Sequence, residues 1–177
     1  NICWITISDL SDEITFPKII NDSKMKITEQ AINESSTKII PKDSVVLGTR
    51  VGVGKLGIAG EKITTNQDFN SFVCSKELDP YFLACYFLAN KQQLRMKSRG
   101  VSVKGITTSA VDSFRIGFPS IKEQKQIVQN IKSAEEKFQS QKVQFENIKQ
   151  NYENTINHIN HIQSSILDAA FSGKLVK

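Results

Sequence analysis

The chain has 177 residues, with 23 Lys and Arg against 18 Asp and Glu, a net charge of +5 and 39% hydrophobic residues. That length admits one compact domain plus an extended element, and the longest dense apolar run, residues 81–89, is far short of the roughly 20 residues a membrane-spanning helix needs. Cys3, Cys74 and Cys85 are odd in number and lack C-x-x-C or Cys/His spacing, which argues against a zinc site or disulfide frame and predicts reduced residues of a soluble cytoplasmic protein.

The chain opens on Asn1-Ile2-Cys3-Trp4, already apolar and without an initiator methionine, so a fragment or a missing preceding segment is expected. Residues 2–7 alternate and are β-branched, predicting a strand with Trp4 as a large core or rim residue. Residues 9–12 form a turn. Lys24 and Lys26 lie in an early loop that leads to Thr28, a plausible N-cap for a short helix through about Asn33. Lys42-Asp43 turns the chain into a second strand, 44–49. Val51-Gly52-Val53-Gly54 then returns it into Leu56-Gly57-Ile58-Ala59, making a hairpin.

These glycines do not build a phosphate loop. Gly48 and Gly54 are separated by five residues where the Walker pattern has four, and Leu56 follows Lys55 in place of Ser or Thr. No G-x-G-x-x-G is present either. Residues 64–68 read as a polar loop before a strand at 69–74. Asn66 and Gln67 carry the amide chemistry that reads adenine edges, although bonding to the local backbone is the commoner use.

Asp79-Pro80 starts a helix, with Asp as N-cap and Pro at the first position. It is predicted to run to about Lys97, burying Phe82, Leu83, Tyr86, Phe87 and Leu94, and to stop at Gly100. A polar, basic loop over 101–108, a helical turn at 109–114 and a last strand at 115–118 follow. From Pro80 to Val111 there is no acidic residue, yet Lys91, Arg95, Lys97, Arg99 and Lys104 fall there. Residues 9–34 instead hold Asp9, Asp12, Glu13, Asp22, Glu29 and Glu34. A one-sided basic patch favours a polyanion such as nucleic acid, while cations at a helix C-terminus also complement its dipole.

The chain is organised around residues 120–173, one very long predicted helix. Ser120 and Glu123 form a capping box, Gly173 supplies the left-handed end, and no Pro or Gly intervenes. Apolar residues recur at alternating steps of three and four: Ile131, Ala134, Phe138, Phe145, Ile148, Tyr152, Ile159, Ile162, Ile166 and Ala169, with Gln141 and Thr155 as polar exceptions. Such a helix is roughly 75 Å long, against about 11–12 residues for an ordinary one, and its seam must be covered by another helix.

Enzymatic readings fail on residue type. Asp79-Pro80-Tyr81-Phe82 lacks the second proline of an amine-methylating site, and no Asp…Glu-x-Lys cluster suggests a nuclease. His158 and His161 are three apart on the long helix but lie off the seam, so solvated or flanking positions are favoured over a metal site.

The order of motifs resembles the target recognition domain of Type I restriction-modification specificity (S) subunits. The resemblance rests on Trp4-Ile5-Thr6-Ile7-Ser8-Asp9-Leu10, on Gly48-Thr49-Arg50 with Gly54-Lys55 and Ile58-Ala59, and on Thr65-Asn66-Gln67-Asp68-Phe69. It continues through Lys104-Gly105-Ile106-Thr107, Gly117-Phe118-Pro119 with Glu123-Gln124 and Ile127-Val128, and the closing run 163–175. Family members usually begin such a domain some tens of residues earlier. Asp68 stands where Gly is common, and Gly48 where Ser is common.

The resemblance implies an α+β fold: a small recognition domain over 1–119 with a mixed, mostly antiparallel twisted sheet, then one long coiled-coil helix over 120–173 and a tail, 174–177. It implies a DNA-reading module without catalysis or cofactor of its own. Complete S subunits hold two such domains apart on long antiparallel helices, so the partner of this helix is a second recognition half or a second copy. Methylation subunits, which carry S-adenosylmethionine, would grip the helices, and restriction subunits would join them. The expected DNA contacts are Lys97, Arg99 and Lys104 to phosphates, Ser102, Thr107 and Thr108 beside them, and more weakly Arg50, Lys55, Lys24 and Lys26. A coiled-coil adaptor with a protein-binding head, and the recognition domain of a fused restriction-methylation enzyme, are the alternative readings.

Overall fold

The computed structural model describes residues 1–99, 105, 106, 111 and 114–173, and of Arg99 the backbone alone. Two small sheets carry the first part of the chain. In one, β1 (Ile2–Ile5) lies between β3 (Met25–Ile27), antiparallel, and β6 (Ile63–Thr65), parallel. The other has the order β2 (Ile19–Ile20), β5 (Leu56–Ala59), β4 (Val45–Gly48) and β7 (Phe69–Phe72), with only the β2–β5 pair parallel.

Strand β4 explains why the head needs two layers. Successive side chains on a strand point to opposite faces, and Val45, Val46 and Leu47 are all fully buried. Val45 and Leu47 enter a core with Leu56, Ile58, Leu83, Phe87 and Leu94. Val46 enters a second, with Ile5, Ile20, Ala59, Ile63 and Phe69. A strand buried on both faces reads as a continuous apolar run, and each such side chain contributes about 1.5–3 kcal/mol relative to exposure.

The predicted hairpin is β4–β5, with Val45 opposite Ile58 and Leu47 opposite Leu56. Thr28 caps the short helix α1 (Glu29–Asn33) by accepting the Ala31 N–H at 3.2 Å. Asp79 caps α2 (Pro80–Ala89), its Oδ1 accepting from the Tyr81 and Phe82 amides at 2.9 and 3.1 Å. The single helix expected to about Lys97 is in fact two. Asn90 ends α2, its side-chain amide donating to the Tyr86 carbonyl at 2.8 Å, and α3 (Lys91–Arg99) follows. A short Asn side chain competes locally for helix carbonyls.

Other local expectations shift. The first strand is shorter than 2–7 because Ile7–Asp9 forms a 3-10 turn, whose preceding Thr6 amide and hydroxyl both donate to Asp9. Thr64 and Thr65 belong to β6 and not to a loop, since Thr64 is fully buried and its hydroxyl donates to the Cys3 carbonyl at 3.0 Å. No strand forms over 115–118, where the Tyr86 hydroxyl takes the Arg115 carbonyl at 2.7 Å. Strands β2 and β3 carry no sequence signal long enough to predict.

Helix α4 (Ile121–Phe171) runs unbroken for 51 residues. The Ser120 hydroxyl and amide donate to Glu123 at 2.7 and 2.9 Å, and Gly173 has φ +70°. Those donors hold the exposed Glu123 carboxyl below its usual range. The chain divides into two compact units, Asn1–Lys132 and Ser133–Lys177, so the first turns of α4 belong to the head. There Gln124 is fully buried: its Oε1 accepts from the Asp79 amide at 2.8 Å, and its Nε2 donates to the Glu77 and Pro119 carbonyls at 2.8 and 2.9 Å. In the second unit the seam faces solvent, with Phe145 64% and Tyr152 69% exposed. Among the described residues no helix is long and apolar enough to cross a membrane.

Candidate functional site

Three segments far apart in sequence meet at the end of β4. The hairpin turn places Gly52 and Gly54 at φ +60° and +86°. Just past the strand, the Thr49 and Arg50 amides donate to the Asp68 carbonyl at 2.8 and 3.3 Å. Asp68 is itself fixed by Asn66, whose side chain donates to its carboxylate at 2.8 Å and accepts its amide at 3.1 Å. The third segment arrives through Ile106, which donates to the Thr49 carbonyl at 2.6 Å. Gly105, at φ +134°, passes so close that a Cβ would lie 2.9 Å from that carbonyl oxygen and 3.0 Å from Arg50 Cα. Only glycine fits this approach without displacing backbone. Two groups of residues singled out in the sequence, around Gly48-Thr49-Arg50 and around Gly105-Ile106, are therefore one corner of the head.

The basic residues differ in what they have left to offer. Arg50 is exposed at this corner. Lys55 is not: its half-buried ammonium donates to the Ile7 and Leu10 carbonyls at 3.3 and 3.0 Å, tying the hairpin to the end of the 3-10 turn. Lys24 is exposed, and its backbone amide donates to Asp9 at 3.1 Å. Burial pushes the Asp9 carboxyl up, but the Thr6 donors and the Lys24 amide outweigh it and hold the group below its usual range. Lys26 pairs with Asp22 at 2.9 Å on open surface. Lys97 is exposed, with its ammonium 4.4 Å from the Phe114 ring centroid. Arg99 ends α3, while Ser102, Lys104, Thr107 and Thr108 lie outside the described residues.

One partner was invisible to sequence reasoning. Asp12, from the acidic stretch, sits against the basic one and pairs with Lys91 at 2.8 Å and Arg95 at 2.7 Å. These bonds, that of Lys91 foremost, hold its carboxyl below the usual range. The positive field around α3 is thereby partly neutralised. Burial, with Asp79 nearby, raises the Cys74 and Cys85 thiols to about 11, so both are protonated and unreactive at neutral pH. Among the described residues no three His, Cys, Asp or Glu side chains come together as metal ligands would, and His158 and His161 are exposed on α4.

The sequence model of the Type I restriction modification DNA specificity domain matches residues 1–163. The chain belongs to that family. Among curated specificity domain proteins it is 30% identical over 130 residues to the Type I restriction enzyme MjaIX specificity subunit of Methanocaldococcus jannaschii, covering 72% of this chain and 29% of that protein. It is 30% identical over 135 residues to the EcoR124I/EcoR124II specificity subunit of Escherichia coli, covering 73% and 32%. It thus spans about a third of the length of these specificity subunits. The fold is shared with a chain solved in work on complex assembly and conformational transition of the type I R-M system, with TM-score 0.59, 16% identity, and 96% of this chain and 38% of that one covered. It is also shared with the HsdS subunit from Thermoanaerobacter tengcongensis, with TM-score 0.50, 18% identity, and 58% and 25% covered. The expected α+β specificity domain with a long terminal helix is the fold found.

Proposed function

We propose that this chain reads one half of a bipartite duplex DNA target for a Type I restriction-modification system and carries out no catalysis itself. Its membership of the specificity domain family over residues 1–163 is the observation that carries this reading. The head supplies DNA contacts. Phosphate contacts from Lys97, Arg99 and Lys104, and more weakly from Arg50, Lys24 and Lys26, give affinity and register. Ser102, Thr107 and Thr108 are polar contacts beside these cations, and polar side chains from the loops of the head discriminate base edges at roughly 1–3 kcal/mol per good bidentate pair. Lys55 is withdrawn from that set, because its ammonium already holds two backbone carbonyls.

The long helix supplies distance. Its heptad seam, Ile131, Phe138, Phe145, Ile148, Tyr152, Ile159, Ile162 and Ile166, exposed from Phe138 on, is covered by the corresponding helix of a second recognition half or a second copy. A paired helix of about 75 Å then sets how many unread base pairs, at about 3.4 Å each, separate the two half-sites. Methylation subunits, bringing S-adenosylmethionine, dock on the paired helices, and restriction subunits join that assembly.

Electrophoretic mobility with duplex DNA at several salt concentrations tests the reading. A DNA reader binds with steep salt dependence, and changing Lys97, Arg99 and Lys104 together to Ala flattens the slope of log K against log salt by about one unit per lost contact. A protein-binding adaptor shows no salt-sensitive DNA binding at all.

A further inference from the structure

A cleft of about 390 Å³ opens beside the loop that holds Asn66, lined by Trp4, Thr37, Lys38, Asn66, Gln67 and Ser71 among others. Its chemistry differs from that of other hollows on the head. Among the described residues Lys38 is its only charged side chain and no carboxylate lines it. The cleft beside β2 is lined by Asp9 and Asp22, which repel phosphate, and another is walled by Phe72, Leu83 and Phe87.

Trp4 is placed there by strand alternation. Cys3 and Ile5 pack into the second core, so Trp4 between them points the other way and stays half-buried. The two amides of the loop also divide their work. Asn66 is spent on Asp68, whereas Gln67 is exposed and has no hydrogen-bond partner among the described residues. Because Asp68 anchors the Thr49 and Arg50 amides, Gln67 and Arg50 flank one fixed carbonyl.

We propose that this cleft seats one sugar-phosphate strand of duplex DNA, with Gln67 at its rim reading the adjoining base edge. This rests on the reading of the head as a DNA recogniser and adds to it a second contact region that the basic patch near α3 does not supply. Deoxyribose packs on the indole of Trp4, the flanking phosphate meets the Lys38 ammonium and the Thr37 and Ser71 hydroxyls, and the Gln67 amide matches the paired donor and acceptor of adenine.

Trp4 is the chain's single tryptophan, so its emission reports on this cleft alone. Titrating the full 177-residue chain with labelled duplex, followed by anisotropy and by tryptophan emission, is expected to show emission changing in step with binding. Lys38→Ala is expected to lower the salt slope by about one unit. In selection from random duplexes, Gln67→Ala is expected to lose roughly tenfold preference at one base pair while non-specific affinity holds. Salt-sensitive binding with Trp4 emission, slope and consensus all unmoved overturns the cleft and leaves the proposed function standing. Absence of DNA binding by the unaltered chain removes both.

Discussion

The two units of this chain solve the problem of their apolar residues in opposite ways. Residues 1–132 turn theirs inward, and Val45, Val46 and Leu47 lose all contact with water. Residues 133–171 turn theirs outward, with Phe138, Phe145, Ile148, Tyr152, Ile159 and Ile166 each more than half exposed in the single chain. The head is therefore stabilised from within, whereas the apolar seam of the helix is left uncovered in the single chain. Contiguous exposed apolar surface on a chain that is otherwise well packed marks an interaction face.

The largest expected effect falls where that contrast is sharpest. Phe145→Asp places a charge in the middle of the seam at a ring that pairing buries, where loss of a buried Phe costs about 3–5 kcal/mol. Sedimentation or light scattering should show pairing abolished while the head keeps its own melting transition. A variant that stays fully paired would contradict the seam.

A smaller effect should come from Gln124, the residue by which the first turns of α4 join the head. Gln124→Ala leaves the Asp79 amide and the Glu77 and Pro119 carbonyls without their bonds. An unsatisfied buried polar group costs about 1–3 kcal/mol, so denaturant unfolding of the head should weaken by at least that order. Pairing of residues 133–171 should be indifferent. Equal stability of variant and parent would show that the clamp contributes nothing.

The smallest belongs to Asp12. Its carboxyl is held below the ordinary value of 3.8 by Lys91 and then Arg95, so its contribution is present above about pH 3.8 and is lost as pH falls through the lower native value. All three side chains are partly solvated, which limits the contribution to about 1 kcal/mol or less. Urea midpoints at neutral pH should drop slightly in Asp12→Asn, and the gap to the parent should close in strong acid. A gap that persists there would assign the loss to something other than the ion pairs.

Legibility followed the range of the interactions involved. The caps at Thr28, Asp79 and Ser120 were readable because donor and acceptor lie within a few residues of each other. The β4–β5 hairpin was readable from its glycines. The split between α2 and α3 was not, because Asn90 interrupts a run of good helix formers whose apolar spacing continues through it. At the candidate site, Arg50 and the Gly105-Ile106 segment each stand out in the sequence, but nothing local says that Ile106 bonds Thr49. Lys55 looked like a cation available to phosphate because its two carbonyl partners lie 48 and 45 residues away. Gln124 stood in a recognisable motif, yet only its burial among three backbone groups explains why an amide is needed there.

The sequence by itself determined the long helix and its seam, since helical periodicity is a property of residues three and four apart and no distant contact is needed to express it. Tertiary structure alone decided which charges remain available. Asp12 reaches Lys91 and Arg95 across 79 and 83 residues, and the two-faced burial of β4 brings Thr49, Asp68 and Ile106 to one corner. Pairings at such separations depend on how the sheets and helices stack, and stacking leaves no periodic trace in the chain.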